Sequence, residues 1–106
     1  MDDPNAVIGR VIARYAPPGW QRAWVNAIAD DGYIGNLTSD YVDAEGRENW
    51  FDISGDDDVM ALSRALLALR ERMRQDGQPG FSACTFTLQR DGTFRLDVHY
   101  EDQPAG

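Results

Sequence analysis

The sequence contains one cysteine, Cys84, and one histidine, His99, and it contains no lysine. A single cysteine cannot form an internal disulfide, so we expect a protein of a reducing compartment, the cytoplasm. One cysteine and one histidine are too few for a structural zinc site, and we expect neither a metal ion nor another cofactor. The segment Gly77-Gln78-Pro79-Gly80 lacks both the lysine and the length of a phosphate-binding loop.

Long apolar runs are also missing. The sequence has no stretch of about 18 consecutive apolar residues, so we expect no membrane-spanning helix. The first ten residues begin with acids and lack the basic segment and apolar stretch that mark a secretory signal. A length of 106 residues is typical of one domain, and we assign residues 1–106 to it.

Negative charge is abundant, and it is concentrated in one segment. The formal net charge is −8, and residues 40–58 hold eight of the 18 acidic residues with one base, Arg47. About seven of the eight net negative charges therefore lie there. A local field of one sign speeds the encounter with a partner of opposite sign and repels phosphate backbones. The segment favours a basic protein partner over a nucleic acid, although acid clusters are also common in solvated loops.

The first half of the chain predicts one helix and three strands. Residues 5–15 carry apolar side chains at helical spacing, and Pro17-Pro18-Gly19 ends the helix. Residues 21–29, 33–42 and 48–53 read as strands joined by short turns that contain glycine. Three such strands predict an antiparallel meander.

The second half predicts a helix followed by a hairpin. Asp56, Asp57 and Asp58 precede the helix, and we expect them to cap its free N–H groups and to complement its positive end. The helix has the clearest apolar stripe in the sequence, formed by Val59, Leu62, Leu66, Leu69 and Met73. Alternating residues in 83–89 and 94–100 flank an Asp-Gly turn. The prediction is an α+β fold, with about five strands in a single antiparallel sheet, two helices on one face, and the order α-β-β-β-α-β-β.

No arrangement typical of catalysis occurs in the sequence. Strand alternation places His99 on the polar face of the hairpin and Cys84 on the apolar face, so the two do not form a Cys-His pair. Residues 52–58 do not fit a calcium-binding loop, which needs a central glycine and a terminal glutamate. No spacing among the many acids singles out a pair for acid–base work. We therefore expect no enzyme.

Residues 62–102 resemble the C-terminal half of the YezG-like immunity proteins of bacterial polymorphic and contact-dependent toxin systems. The shared pattern is a Leu-rich helix, a Gly-Gln turn, a Thr-rich strand, a glycine turn and a strand ending in Tyr-Glu-Asp. It is carried here by Leu66, Leu69, Arg70, Gly77, Gln78, Thr85, Thr87, Leu88, Asp91, Gly92, Phe94, Tyr100, Glu101 and Asp102. The helix and the Pro17–Trp20 junction extend the likeness to the first half, whereas residues 78–81 depart from the family pattern.

The resemblance implies an immunity protein that binds a bacterial toxin domain, often a nuclease, in a 1:1 complex and blocks its active or substrate-binding surface. It implies no catalytic residues. It does not identify the toxin or the face that binds it. Together with the charge pattern, it predicts aromatic anchors within an acidic rim. The candidate toxin-binding residues are Asp40, Tyr41, Asp43, Glu45, Glu48, Trp50 and Asp52.

Two details of this candidate site affect how it can be tested. Neighbouring strand residues point to opposite faces, so either Trp50 or Phe51 belongs to the core, and the sequence does not decide which. The turn acids Asp43 and Glu45 are expected to tolerate charge reversal at little cost to folding. If the acidic segment is not the contact, the polar residues of the last strand, around Arg95, are the next candidate.

Two other classes of function remain open at this stage. A small acid–base or metal-dependent enzyme would need a concave pocket ringed by carboxyl groups with raised pKa values. An adaptor domain would self-associate through an exposed edge of the sheet.

Overall fold

The computed structural model describes residues 3–30, 33–77 and 80–100. It confirms the predicted α+β fold and the predicted order of its elements. The elements are α1 (Pro4–Tyr15), β1 (Trp20–Asp30), β2 (Tyr33–Asp43), β3 (Glu48–Trp50), α2 (Asp56–Gln75), β4 (Ala83–Gln89) and β5 (Phe94–His99).

The five strands form one antiparallel sheet in the order β3-β2-β1-β4-β5. The strand β1 lies at the centre and joins the N-terminal meander to the C-terminal hairpin. Both helices pack on one face of the sheet and share a single core with it. Alternate residues of β1 enter this core, namely Ala23, Val25, Ala27 and Ala29.

The helix α1 begins at Pro4 and is capped by Asp3. The Asp3 side chain accepts a hydrogen bond of 3.0 Å from the backbone N–H of Asn5, and Pro4 occupies the first helical position. The apolar stripe faces the sheet, because Ile8 and Ile12 are fully buried. The helix ends at Tyr15, one residue before Ala16, whose extended backbone leads into the prolines.

The helix α2 buries its predicted stripe, with Leu62 and Leu66 fully enclosed. Gly77 follows the end of the helix in the left-handed conformation, at φ 87°, which glycine adopts without strain. The expected capping by aspartates is wrong, because the N-cap residue is Gly55 and no side chain caps the helix. The aspartates lie in the first turn instead, where they complement the positive end of the helix.

Asp58 connects the two helices. Its carboxylate accepts hydrogen bonds from the Tyr15 hydroxyl at 2.6 Å and from Arg14 Nη1 at 2.9 Å. The backbone N–H of Gly55 donates to the same Tyr15 hydroxyl at 3.2 Å. A Cβ atom on Gly55 would collide with that hydroxyl, so glycine is needed where the chain enters α2. The Tyr15 hydrogen bond is the main reason why the pKa of Asp58 lies below its usual value.

Two strands are shorter than the sequence predicts. The strand β3 ends at Trp50 rather than at Ile53. Phe51 N–H still donates to Ser39 O at 3.1 Å, but Phe51 O accepts from the Ser39 side-chain hydroxyl, so the regular backbone ladder stops there. The strand β5 ends at His99 rather than at residue 100. Its apolar side is only partly covered: Phe94 is 50% exposed, although its ring stacks on Phe86 with 5.2 Å between centroids.

We expect Leu66→Ala to lower the free energy of unfolding by about 2–5 kcal/mol, because it leaves a cavity beneath α2. Met60→Ala, at an exposed position of the same helix, is the matched control and should stay within about 0.5 kcal/mol of the wild type. Urea unfolding followed by circular dichroism measures both. A loss at Leu66 as small as the loss at Met60 would show that the stripe does not support the core.

We expect Asp58→Asn to destabilise the protein at neutral pH and to lose that effect in acid. The folded pKa of Asp58 is lowered, so its contribution is complete above the unfolded value of about 3.9 and disappears as the pH falls through the folded value. Thermal melts between neutral pH and about pH 2 should show the two stabilities converging below about pH 4. Asp57→Asn removes the neighbouring exposed carboxylate but keeps both hydrogen bonds of Asp58, so at neutral pH it should lose no more than about 0.3–1 kcal/mol.

Candidate protein-binding face

One face of the sheet lies opposite both helices, and we call it the open face. Strand alternation decides which side chains reach it, because every second residue of β1 is held in the core. The residues of β1 on the open face are Arg22, Trp24, Asn26 and Ile28. Charged, amide, aromatic and aliphatic groups therefore meet on the central strand of this face.

Three residues form a row across neighbouring strands of the open face. Trp24 on β1 pairs with Asp40 on β2, and Asp40 pairs with Trp50 on β3. We call these three residues the Trp–Asp–Trp row. Trp50 is 70% exposed, and the guanidinium of Arg22 lies 5.7 Å from the ring centroid of Trp24. The row therefore presents a carboxylate between two indoles, one of which is widely accessible.

Two shallow grooves flank the row. The first, of about 330 Å³, is lined by Leu37, Thr38, Ser39, Asp40, Trp50, Phe51 and Asp52. The second, of about 380 Å³, is lined by Arg22, Trp24, Glu48, Thr85, Thr87, Gln89, Arg95 and Asp97. The fold thus gathers Asp40, Trp50 and Asp52 around one groove and places Glu48 at the other.

Hydrogen bonds between strands hold the centre of the open face in place. The Thr85 hydroxyl donates to Asn26 Oδ1 at 2.7 Å, and Asn26 Nδ2 donates to the Thr38 hydroxyl at 3.4 Å. These bonds join side chains of β4, β1 and β2 next to the row. A binding surface ordered in this way loses little conformational entropy when a partner docks.

Tyr41 and Phe51 lie away from the row. Tyr41 reaches the covered face, where its ring meets Phe51 edge-on with 6.1 Å between centroids. Phe51 is 6% exposed, whereas Trp50 is 70% exposed. The structure therefore assigns Phe51 to the core and leaves Trp50 on the surface, which answers the question that the sequence left open.

Asp43 organises the turn between β2 and β3. Its Oδ1 accepts hydrogen bonds from the backbone N–H groups of Glu45 at 2.9 Å and Arg47 at 3.0 Å. The bond from Arg47 is the main cause that lowers the pKa of Asp43. The Arg47 guanidinium also lies 3.6 Å from the Asp43 carboxylate and 3.9 Å from the Glu45 carboxylate. We therefore expect Glu45 to tolerate charge reversal at little cost to folding. Reversal of Asp43 would disturb the turn, so the sequence-based expectation for Asp43 is wrong.

Trp24 and Arg22 were not among the candidates chosen from the sequence, although the fold places both beside the predicted acids. The alternation of residues in β1 already indicated that Trp24 and Arg22 face outward. The residues that alternate with Trp24 are small or apolar without interruption, namely Ala23, Val25, Ala27 and Ala29. That side must face the core, so the side with Trp24, Asn26 and the charged Arg22 must face outward.

Cys84 and His99 do not form a reactive pair in the structure. Cys84 is buried on the covered face, and its pKa is raised to about 11 by desolvation, so its thiol stays neutral. His99 lies on the opposite face of the hairpin. Hydrogen bonds hold the pKa values of Asp43, Asp58 and Asp91 below the usual value, whereas a general acid needs a raised one.

Residues 3–30, 33–77 and 80–100 contain no cluster of three or more metal-ligating side chains. Within the same ranges, no helix is long and apolar enough to cross a membrane.

The neighbours Trp50 and Phe51 should respond in opposite ways to truncation. Phe51→Ala is expected to lower the free energy of unfolding by about 3–5 kcal/mol, because it empties a core position. Trp50→Ala, at the exposed position, should change it by less than about 0.5 kcal/mol. Chemical denaturation of both variants measures the difference. A large loss for Trp50→Ala would mean that the indole supports the edge of the sheet and is not a free surface group.

No protein-family model matches this chain, and no curated protein matches it in sequence. The likeness to YezG-like proteins therefore rests on the residues that carry its pattern. Three of these, Gln78, Glu101 and Asp102, lie outside the described residues.

Proposed function

We propose that this chain is a cytoplasmic immunity protein that binds a basic bacterial toxin domain in a 1:1 complex and neutralises it without catalysis. The observation that carries the proposal is the Trp–Asp–Trp row at the acidic end of the open face. Tryptophan in a central, desolvated position is the residue type that most often dominates the energy of a protein interface. The resemblance to immunity proteins suggests that this partner is a bacterial toxin domain.

The charge around the row supports a basic partner. Asp40, Glu48 and Asp52 lie on or beside the open face near Trp50, and no hydrogen bond or ion pair from the described residues engages their carboxylates. Two other acids of the segment, Asp43 and Asp58, already have partners within the domain. Asp56 and Asp57 also have no such partner among the described residues, but they lie in the first turn of α2. Asp40, Glu48 and Asp52 are the available acids next to the exposed indole.

A nuclease toxin would suit such a surface. Enzymes that cleave nucleic acids bind phosphates with arginine and lysine, so their substrate surface carries positive potential. An acidic face with aromatic anchors competes for that surface and repels the nucleic acid itself. Opposite charges steer the two proteins together, and the indoles give the complex its lifetime.

The test uses the basic toxin domain that the proposal expects to be encoded next to this gene. Reversal of two acids, Glu48→Arg with Asp52→Arg, should lower the association rate about tenfold or more in surface plasmon resonance. The wild-type rate should also fall between 0.01 M and 0.15 M salt, where the Debye length shortens from about 30 Å to about 8 Å. Trp50→Ala should instead mainly raise the dissociation rate, at a cost of about 2 kcal/mol or more.

The matched control changes the net charge equally on another surface. Glu71→Arg with Asp76→Arg alters two exposed acids at the end of α2 and should bind at the wild-type rate. Thermal melts establish that every variant is folded, and co-expression in bacteria measures protection from the toxin. Equal rates for the two double variants would remove the acidic end of the open face from the interface. Failure of the wild-type protein to bind or protect would overturn the function itself.

A further inference from the structure

The strand β5 leaves one row of backbone groups unpaired. Gln89 N–H donates to Thr93 O at 2.8 Å at the base of the hairpin. Hydrogen-bonded pairs alternate along an antiparallel ladder, so the N–H and C=O groups of Arg95 and Asp97 point toward β4. Those of the alternate residues Phe94, Leu96 and Val98 point outward. Within the described part of the chain β5 is the last strand of the sheet, and no other strand accepts these groups.

The apolar side of β5 is also incomplete. Phe94 is 50% exposed, and Leu96 and Val98 are only half-buried. A groove of about 390 Å³ separates this end of the sheet from α1, and it is lined by apolar atoms of Leu88 and Phe94. Unpaired backbone and uncovered apolar side chains along one strand are the features that favour addition of a further strand.

The charges of β5 are complementary to themselves under a two-fold rotation. Consider two copies of the strand paired antiparallel with Leu96 opposite Leu96. Arg95 of each copy then faces Asp97 of the other, on the open face. Phe94 faces Val98 on the apolar side. The outward-pointing backbone groups of Leu96 and of the Phe94–Val98 pairs meet as hydrogen-bonded pairs, and the charged pairs take the closer, non-hydrogen-bonded positions.

Neighbouring two-fold registers are disfavoured by charge. A shift by one pair in either direction places Arg95 opposite Arg95, or Asp97 opposite Asp97. Like charges directly opposite each other destabilise a sheet. Registers that mix odd and even positions would oppose apolar and charged residues and would misplace the backbone groups. The alternation of sign within β5 therefore selects one register, whereas charges of a single sign would protect the edge from pairing.

We infer that two copies of this chain associate through β5, antiparallel and centred on Leu96, to form one continuous sheet. The existing Arg95–Asp97 ion pair within each strand, at 2.9 Å, becomes part of a cluster of alternating charges. The acidic end of the sheet is built by β3 and β2, at the opposite edge from β5. The dimer thus keeps both open acidic ends accessible, and it does not depend on the proposed function.

The test is sedimentation of the purified full chain across a concentration series up to millimolar, because a small interface gives a weak dimer. Wild-type protein should shift reversibly from monomer to dimer. Arg95→Asp and Asp97→Arg each oppose like charges at both ends of the contact. Each variant alone should raise the dimer dissociation constant at least about tenfold, which corresponds to about 1.4 kcal/mol.

Mixing the two single variants gives the sharpest outcome. The Arg95→Asp chain brings only acids to positions 95 and 97, and the Asp97→Arg chain brings only bases. Opposite charges then face each other at both ends of the contact, so a 1:1 mixture should form a heterodimer near wild-type affinity. The double variant Arg95→Asp with Asp97→Arg should regain self-association. Glu71→Arg, a single reversal at an exposed position of α2, should dimerise like the wild type, and thermal melts confirm folding.

Three results would overturn the inference. They are a wild-type chain that stays monomeric throughout the series, single variants that dimerise as well as the wild type, and a mixture that fails to associate. The second result would assign the dimer to another surface.

Discussion

The structure depends on the position of β1 at the centre of the sheet. The N-terminal meander and the C-terminal hairpin form from neighbouring segments, and the pairing of β1 with β4 joins them into one sheet. That pairing aligns Val25 with Phe86 and Ala27 with Cys84, so both halves bury one continuous apolar surface under the helices. The same alternation sends Trp24 outward. The alternation of side chains along β1 therefore defines both the core and the open face.

Hydrogen bonding divides the acids of the segment into two groups. Asp58 joins α2 to α1 through the Tyr15 hydroxyl, and Asp43 holds the β2–β3 turn through backbone N–H groups. Both are aspartates whose pKa values fall because donors surround the carboxylate. The acids around Trp50 receive no such donors from the part of the chain that the structure describes. A contiguous run of charge in the sequence thus separates into structural acids and acids that can meet a partner.

The two edges of the sheet differ in what they offer. The edge at β3 is short, acidic and marked by an exposed indole, which suits a basic protein of another kind. The edge at β5 carries alternating opposite charges above a half-covered apolar strip, which suits a second copy of itself. The strands β2, β1 and β4 lie between the two edges, so the two proposed contacts use different edge strands. The groove lined by Glu48, Arg95 and Asp97 extends between them.

Local periodicity alone determined the elements of this protein, because the spacing that buries one side of a helix or strand is visible in neighbouring residues. It placed the apolar stripe of α2 and separated Cys84 from His99. The tertiary structure decided that Phe51 and not Trp50 enters the core, that Trp24 joins the candidate site, and that Asp58 bonds to α1 instead of capping α2. Each of these depends on contacts between segments far apart in the chain. Their free energy comes from burial and pairing that no local pattern contains.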